Sequence, residues 1–154
     1  MRGEASLAPT MPGVKGVVIG CGRVGSAVAK GLAVDGWDVT VIDENEDALV
    51  RLGPNWRGGF VVGHGMDTTV LESAGAAEAD AAVVATNGDN TNLVIGQVLR
   101  ERYEITTVVV RVLDPARAKF YADRGMRTVC PTQTAISALL DTVRSTASQP
   151  SPAS

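Results

Sequence analysis

The sequence contains no run of basic residues and only a slight excess of acidic ones. Its 154 residues include 14 Lys and Arg against 17 Asp and Glu, which gives a formal net charge of −3. Proteins that bind nucleic acid use clustered Lys and Arg to neutralise backbone phosphates. We therefore expect no nucleic-acid partner.

Cysteine and histidine are scarce as well. The two cysteines, Cys21 and Cys130, form no CxxC pair and have no histidine at a metal-ligand spacing, so the sequence predicts no metal site. Two scattered cysteines in an acidic chain are typical of a reducing compartment, and we expect a cytoplasmic protein.

Long apolar stretches are also missing. No stretch approaches the roughly 20 apolar residues that cross a bilayer, and the N-terminal segment, which includes Glu4, lacks the apolar core of a signal peptide. We expect no direct membrane insertion, so any action at a membrane goes through a partner. Residues 1–14 and 145–154 lack periodicity, and we expect a disordered leader and tail around a domain at 15–144.

Within that domain, short apolar runs alternate with segments of helical periodicity. The predicted strands are residues 17–19, 39–42, 60–62, 81–85, 108–112 and 128–130. The predicted helices are residues 24–34, 45–52, 68–74, 89–102, 115–124 and 132–144. Repeated strand–helix units with short loops predict an α/β fold, a Rossmann-like doubly wound parallel sheet of six strands in the order 3-2-1-4-5-6.

A glycine-rich loop, GCGRVG, joins the first predicted strand to the first predicted helix. In this setting Gly20 permits the tight turn, Gly22 lets a pyrophosphate approach the backbone, and Gly25 lets the helix pack on the strand. The N–H groups and dipole at the helix start favour an anion. The alternative is a glycine-rich turn that binds nothing.

Asp43 ends the second predicted strand, where a carboxylate accepts hydrogen bonds from ribose hydroxyls. Such a carboxylate repels a 2′-phosphate, so NADP is disfavoured. Asp43 could instead cap the following helix, although Glu44 or Asn45 could also do so. Arg23, inside the glycine loop, is placed to fork onto phosphate oxygens, unless it is a solvated surface residue. Cys21 is interpreted as a small loop residue whose backbone N–H is available to a ligand.

Polar side chains also mark the third, fourth and fifth predicted strands. His64, the only histidine, follows the third predicted strand near the expected adenine position, where it either contacts adenine or is incidental. Thr86 and Asn87 follow the fourth strand and are expected to line the ligand crevice. Arg111 lies among valines in the fifth strand, so it needs a carboxylate, a phosphate or a neighbouring subunit as a partner, unless it sits at a solvated edge.

These motifs together resemble the N-terminal nucleotide-binding domain of RCK proteins (regulator of potassium conductance), also called TrkA-N or KTN. The resemblance covers about residues 15–143 and is carried by GCGRVG, VIDEN, VVGHGMDTTVLESAG, ADAAVVATNGDNTN and VVVRVLDPARAKFYADRGMRTVCP. It implies binding of NAD(H), AMP, ADP or ATP, with Arg23 on phosphate, Asp43 on ribose and Arg111 reaching the ligand across a dimer.

The resemblance also implies partners. Such domains form homodimers or higher rings beneath integral-membrane potassium channels and transporters, which would place this chain at the inner face of the plasma membrane. The last predicted helix matches the segment that crosses to the partner subunit, and its apolar positions are Ile136, Leu139, Leu140 and Val143. No C-terminal RCK subdomain is expected in this chain.

One motif departs from the family. After the third strand the family usually has Gly-Asp-Ala-Thr, with the Asp accepting from the adenine amino group, whereas this chain has Gly63, His64, Gly65 and Met66. By comparison with the family, His64 would replace that carboxylate, helped by the backbone of Gly65 and Met66. The predicted nucleotide-binding residues are Gly20, Cys21, Gly22, Arg23, Val24, Gly25, Asp43, Glu44, His64, Gly65, Met66, Thr86, Asn87 and Arg111.

The leading hypothesis is a cytosolic regulatory subunit of a Trk/Ktr-type potassium uptake system, which binds NAD(H) or an adenine nucleotide as a gating signal without turnover. An NAD-dependent oxidoreductase fragment is one alternative, and a nucleotide sensor for another cation transporter, such as an antiporter, is another. We expect no catalytic residues, because the strand–helix units use the whole domain and His64 is far from the expected site of hydride transfer.

Overall fold

The computed structural model describes residues 13–147, and its strands are all parallel. The strands are β1 (Lys15–Ile19), β2 (Asp38–Asp43), β3 (Gly59–Val62), β4 (Ala81–Val84), β5 (Thr107–Arg111) and β6 (Arg127–Val129). The α-helices are α1 (Arg23–Val34), α2 (Thr68–Ser73), α3 (Asp89–Glu101), α4 (Pro115–Ala122) and α5 (Pro131–Ala147). Short 3-10 helices span Glu46–Leu52 and Ala76–Glu78.

The sheet has the order β3-β2-β1-β4-β5-β6, which confirms the predicted doubly wound topology. β1 pairs with β2 on one side and with β4 on the other, so Ile19 lies beside both Ile42 and Val84. The direction in which successive strands are added reverses between β1 and β4. In such sheets a crevice opens at this point, outside the carboxyl ends of the strands.

Apolar side chains cover both faces of the sheet, which is why the strands read as continuous apolar runs rather than alternating ones. Val17 and Ile19 point into one core cluster, to which α2, α3 and α4 contribute Leu71, Leu99 and Ala118. Val18 points into a second cluster on the other face, with α1 and the longer 3-10 helix contributing Ala29, Ala48 and Leu52.

Several predicted boundaries differ from the structure. The helix expected over 45–52 is a 3-10 helix that Asn45 caps, accepting the Asp47 N–H at 2.9 Å. The fifth strand is shifted by one residue, so Arg111 is its last residue rather than an interior one. The predicted and observed boundaries differ because strand pairing, rather than apolar sequence, decides where a strand ends.

The last helix, α5, contains no buried residue. Its apolar side chains at Ile136, Leu139, Leu140 and Val143 are between 41% and 67% exposed. The helix runs to Ala147, so residues 145–147, which the sequence analysis assigns to a disordered tail, are helical. Residues 148–154 of that tail and residues 1–12 of the leader lie outside the described part. Across residues 13–147, no helix combines the length and apolar character that a membrane span requires.

Candidate functional site

A cavity of about 700 Å³ opens at the carboxyl ends of β1, β2, β4 and β5. All but two of the predicted binding residues line it, namely Gly20, Cys21, Gly22, Arg23, Val24, Asp43, Glu44, His64, Gly65, Thr86, Asn87 and Arg111. Gly25 lies behind the loop and Met66 lies outside the cavity wall. The strand order explains this convergence, because residues distant in sequence meet at the carboxyl ends of the neighbouring strands β1 and β4, where the direction of strand addition reverses.

The three loop glycines have different surroundings. Gly20 has φ +101°, and a Cβ there would lie 2.7 Å from the carbonyl carbon and oxygen of Ala85. A Cβ on Gly25 would lie 1.7 Å from the Gly20 carbonyl oxygen, so this residue must be glycine for α1 to start where it does. A Cβ on Gly22 meets no atom within 4 Å. Gly22 therefore faces open space in the cavity, and its expected role beside a ligand stays a prediction.

The start of α1 presents the positive end of a helix to the cavity. Gly22 is the N-cap, no side chain caps it, and the first turn contains no acidic residue. The dipole and the first backbone N–H groups are therefore not offset by a carboxylate from this helix. Arg23, the first residue of α1, adds a guanidinium to the same wall.

Asp43 links β2 to the glycine loop. Its Oδ2 accepts the Cys21 N–H at 2.7 Å, and its Oδ1 accepts the Asn45 N–H at 2.8 Å. The Cys21 N–H is therefore engaged by Asp43, which corrects the expectation that it is available to a ligand. The sequence left open whether Asp43, Glu44 or Asn45 caps the following helix. In the structure Asn45 is the cap of the 3-10 helix.

Arg51 is a cation at the cavity that the sequence analysis missed. It lies in the last turn of the 3-10 helix, and its Nη1 donates to the Cys21 carbonyl oxygen at 3.3 Å. The sequence signal that could have pointed to Arg51 is a basic residue eight positions after Asp43. With Arg23, it gives the wall of the cavity two guanidinium groups, which are suited to phosphate oxygens.

His64 is held by its neighbours. Its Nδ1 accepts the Met66 N–H at 3.1 Å, and its Nε2 lies 3.7 Å from Oε2 of Glu44. The Met66 N–H is therefore engaged by His64, and the expected contact of the Gly65 and Met66 backbone with adenine stays a prediction. Gly65 does line the cavity, and a Cβ there would lie 2.7 Å from Ile19.

Thr86 and Arg111 meet at the opposite wall. Arg111 Nη2 donates to the Thr86 carbonyl oxygen at 2.6 Å, and β5 lies between β4 and β6, so Arg111 is not at a solvated sheet edge. None of the ion pairs formed within residues 13–147 involves Arg111. Asn92, which no pattern in the sequence singles out, is 1% exposed. Its Nδ2 donates to the carbonyl oxygens of Thr86 and Arg111.

The Cys21 thiol is fully buried and donates to the Ala48 carbonyl oxygen at 3.3 Å. Burial raises the pKa of this thiol, and the Asp43 carboxylate raises it further, whereas Arg51 and Lys30 act in the opposite direction. The thiol is therefore protonated at neutral pH and serves as a small packing group. Within residues 13–147, no three His, Cys, Asp or Glu side chains are grouped so as to hold a metal ion.

Comparison with known proteins identifies the family. The family model described as the TrkA-N domain matches residues 16–131. The chain belongs to the TrkA-N domain family. A relative from Streptomyces coelicolor, named Trk system potassium uptake protein TrkA, is 42% identical over 113 residues, which are 73% of this chain and 51% of that protein. The TrkA-N chain thus spans about half the length of this relative.

Solved structures share the TrkA-N fold at low sequence identity. The Shewanella denitrificans Kef CTD in its AMP-bound form superposes with a TM-score of 0.75 and 20% identity, covering 88% of this chain and 82% of that one. GsuK bound to ADP gives a TM-score of 0.73 and 22% identity, covering 86% of this chain and 34% of that one. These likenesses establish the shared fold.

Proposed function

We propose that this chain is a nucleotide-binding regulatory subunit of a Trk/Ktr-type potassium uptake system. It binds NAD(H), AMP, ADP or ATP as a gating signal and does not convert it. The observation that carries the proposal is the grouping of a glycine loop, the Asp43 carboxylate and the guanidinium groups of Arg23 and Arg51 around one cavity. A carboxylate beside cations and free helix-start N–H groups suits a ribose that carries phosphates.

The chemistry of the walls supports one orientation of the ligand. Ribose hydroxyls donate to Asp43, whose two oxygens each keep a lone pair after accepting one backbone N–H. The phosphates lie on the glycine loop with Arg23, and the adenine lies towards His64 and Gly65. Asp43 repels a 2′-phosphate, so NADP is the least favoured dinucleotide.

Relatives and structural neighbours support the ligand class and the biological setting. The Streptomyces coelicolor relative is named a Trk system potassium uptake protein, and neighbours of the same fold are bound to AMP or ADP. We propose a cytoplasmic subunit that reaches the inner face of the plasma membrane through an integral-membrane potassium transporter. A homodimer or higher ring forms through the exposed apolar face of α5.

Regulation would follow from differential affinity. A ligand that contacts Arg111 and a second subunit favours the assembly geometry to which it binds more tightly. The membrane partner then responds to that geometry. Turnover of the ligand has no part in such a mechanism, because binding alone shifts the population.

A thermal-shift panel with NAD, NADH, NADP, AMP, ADP and ATP tests the proposal on the full chain. Specific binding raises Tm by mass action, and a ligand at about 100 times its Kd adds about 2.7 kcal/mol. We expect shifts for several of these ligands and the smallest dinucleotide shift for NADP. Chromatography of the recovered nucleotide should show it unchanged.

Three outcomes would contradict the proposal. The absence of any shift would remove nucleotide binding, and robust NADH oxidation with a candidate substrate would favour an oxidoreductase. Unchanged potassium uptake after deletion, together with co-purification of a different cation transporter, would place the sensor in another system, such as an antiporter.

A further inference from the structure

Asn92 is a buried amide that joins two strand ends beside the cavity. It lies near the start of α3 and is 1% exposed. Its Oδ1 accepts the Thr86 N–H at 3.0 Å and also accepts the Thr86 hydroxyl. Its Nδ2 donates to the carbonyl oxygens of Thr86 at 3.0 Å and of Arg111 at 2.9 Å. One side chain therefore fixes the residue after β4 and the last residue of β5.

The chemistry of this position selects an amide. Two donors face the oxygen of Asn92 and two acceptors face its nitrogen, so both ends of the amide are fully used. An aspartate could accept the two donors but could not donate to either carbonyl, and a leucine of similar size could do neither. Buried polar groups left without partners are costly, so the wall depends on this residue type.

Thr86 transmits the position of Asn92 to the glycine loop. A Cβ on Gly20 would lie 2.8 Å from the Thr86 nitrogen, so the backbones of the loop and of Thr86 are in close contact. A displacement of Thr86 towards β1 therefore requires the loop to move. The loop that would hold the phosphates and the wall opposite it are thus one packed unit.

Arg111 depends on the same contacts. Its guanidinium is oriented by the 2.6 Å bond from Nη2 to the Thr86 carbonyl oxygen, while its Nε is buried without a partner among the described residues. Asn92 holds the backbone carbonyl groups of both residues, Thr86 and Arg111. Because Asn92 is neutral, it does so without neutralising the positive charge that Arg111 directs at the cavity.

We propose that Asn92 is a positioning residue for the bound nucleotide. It holds Thr86 and Arg111 at the distance from the glycine loop that the phosphates require, and its neutrality leaves the Arg111 charge for the ligand. This inference rests on the proposed function, since it concerns the site where the nucleotide binds. Asn92 does not itself contact the ligand.

The test compares Asn92→Ala with Leu99→Ala in the full chain. Leu99 is also buried in α3, but it packs in the core and does not line the cavity, so its truncation destabilises the fold without altering the wall. Affinity for ADP is measured by titration calorimetry at a temperature where all variants are folded. We expect Asn92→Ala to weaken ADP binding about tenfold and Leu99→Ala less than twofold. Equal losses in the two variants would mean that Asn92 is merely structural, and this would overturn the inference.

Asn92→Asp tests the role of neutrality. Asn92 and the Arg111 guanidinium bond the same Thr86 carbonyl oxygen, so a carboxylate at position 92 would offset the Arg111 charge and repel phosphate. The extra loss of affinity relative to Asn92→Ala should therefore increase from AMP to ADP to ATP. A loss independent of the number of phosphates would contradict the role assigned to charge.

Amide hydrogen exchange gives a readout that requires no nucleotide. The Thr86 N–H, bound to Asn92 Oδ1, should exchange slowly in the wild type and in Leu99→Ala but rapidly in Asn92→Ala. Unchanged protection of the Thr86 N–H in Asn92→Ala would overturn the inference about Asn92 and leave the proposed function untouched. A wild-type chain that binds none of the nucleotides would instead overturn the proposed function, and with it the role of Asn92 towards a ligand.

Discussion

The carboxylate of Asp43 accepts the backbone N–H of Cys21 at 2.7 Å. This bond ties the end of β2 to the loop that follows β1, across 22 residues of sequence. The residue proposed to bind the ribose therefore also holds the loop proposed to bind the phosphates. Ligand binding and loop geometry depend on one side chain, so a change at Asp43 alters both.

We predict that Asp43→Ala lowers both the stability of the protein and its affinity for NAD. The loss of two backbone hydrogen bonds should cost about 1–2 kcal/mol of unfolding free energy, and NAD binding should weaken at least about tenfold. The ratio of NAD to NADP affinity separates the two roles, because a purely structural effect leaves it unchanged. A ratio that approaches one in the variant supports the ribose role, and an unchanged ratio contradicts it. Asp43→Asn, which keeps one acceptor oxygen, serves as the stability control.

The glycine loop and the strand order follow from the sequence because both are local or pairwise features. Spacing placed Gly20 at the turn after the first strand and Gly25 in the first turn of the following helix, and continuous apolar runs predicted a sheet buried on both faces. Arg51 and Asn92 were missed for a different reason. Each looks like an ordinary polar helix residue in sequence, and its role appears only when a 3-10 helix or a neighbouring strand brings it to the cavity.

The error at Cys21 has a physical cause. Its backbone N–H was expected to be available to a ligand, yet the Asp43 carboxylate accepts it. Backbone donors near a strand end find internal acceptors whenever geometry allows, since an unpaired buried donor is costly. Sequence spacing gives no measure of such competition.

We predict that two substitutions in the glycine loop differ in which property they impair, stability or ligand binding. Gly25→Ala places a Cβ 1.7 Å from the Gly20 oxygen, so the helix must shift, and stability should fall by about 3 kcal/mol or more. Gly22→Ala meets no atom within 4 Å, so the loss should be about 0.5 kcal/mol, from the weaker N-cap. The same Gly22 methyl group faces the cavity and should sharply reduce ADP binding. Urea denaturation and calorimetry together check this, and full binding by a stable Gly22→Ala would contradict the placement of the phosphates.

Arg51 should contribute charge to ligand binding. We predict that Arg51→Met weakens ATP binding about fivefold and reduces its dependence on salt, because one phosphate-facing cation is lost. Arg57→Met is the matched control, since Arg57 is an exposed arginine that does not line the nucleotide cavity. Titrations at two salt concentrations give the measurement. Equal effects of the two substitutions would indicate a general charge effect rather than a contact.

The two thiols should differ in reactivity. Because burial and Asp43 raise the pKa of Cys21 above 9.0, we predict slow alkylation of Cys21 in Cys130→Ser at pH 8. Cys130 in Cys21→Ala should react faster, since it is only partly buried. The raised pKa of the Cys21 thiol also sets the sign of the pH dependence. The contribution of Cys21 to stability is intact below about pH 9 and declines as pH rises through the folded-state pKa. Rapid alkylation of folded Cys21 would contradict the burial assigned to it.

The apolar face of α5 should control assembly. The helix has no buried residue, and Leu139 and Val143 are 67% and 62% exposed, which is unusual for aliphatic side chains on adjacent turns. We predict that the wild-type chain sediments as a dimer or larger species and that Leu139→Asp shifts it to monomer, because a buried charge at the interface is unfavourable.

Thr134→Asp provides the control for this experiment. Thr134 lies on the opposite face of α5 from Ile136 and Val143. Side chains two positions apart in a helix, such as those of Thr134 and Ile136, point about 200° apart. It adds the same charge to the same helix but should leave the sedimentation coefficient unchanged. Since α5 contributes no buried residue to the fold, Leu139→Asp should remain folded as a monomer. A monomeric wild type, or dissociation by both substitutions, would show that this face is not the contact between subunits.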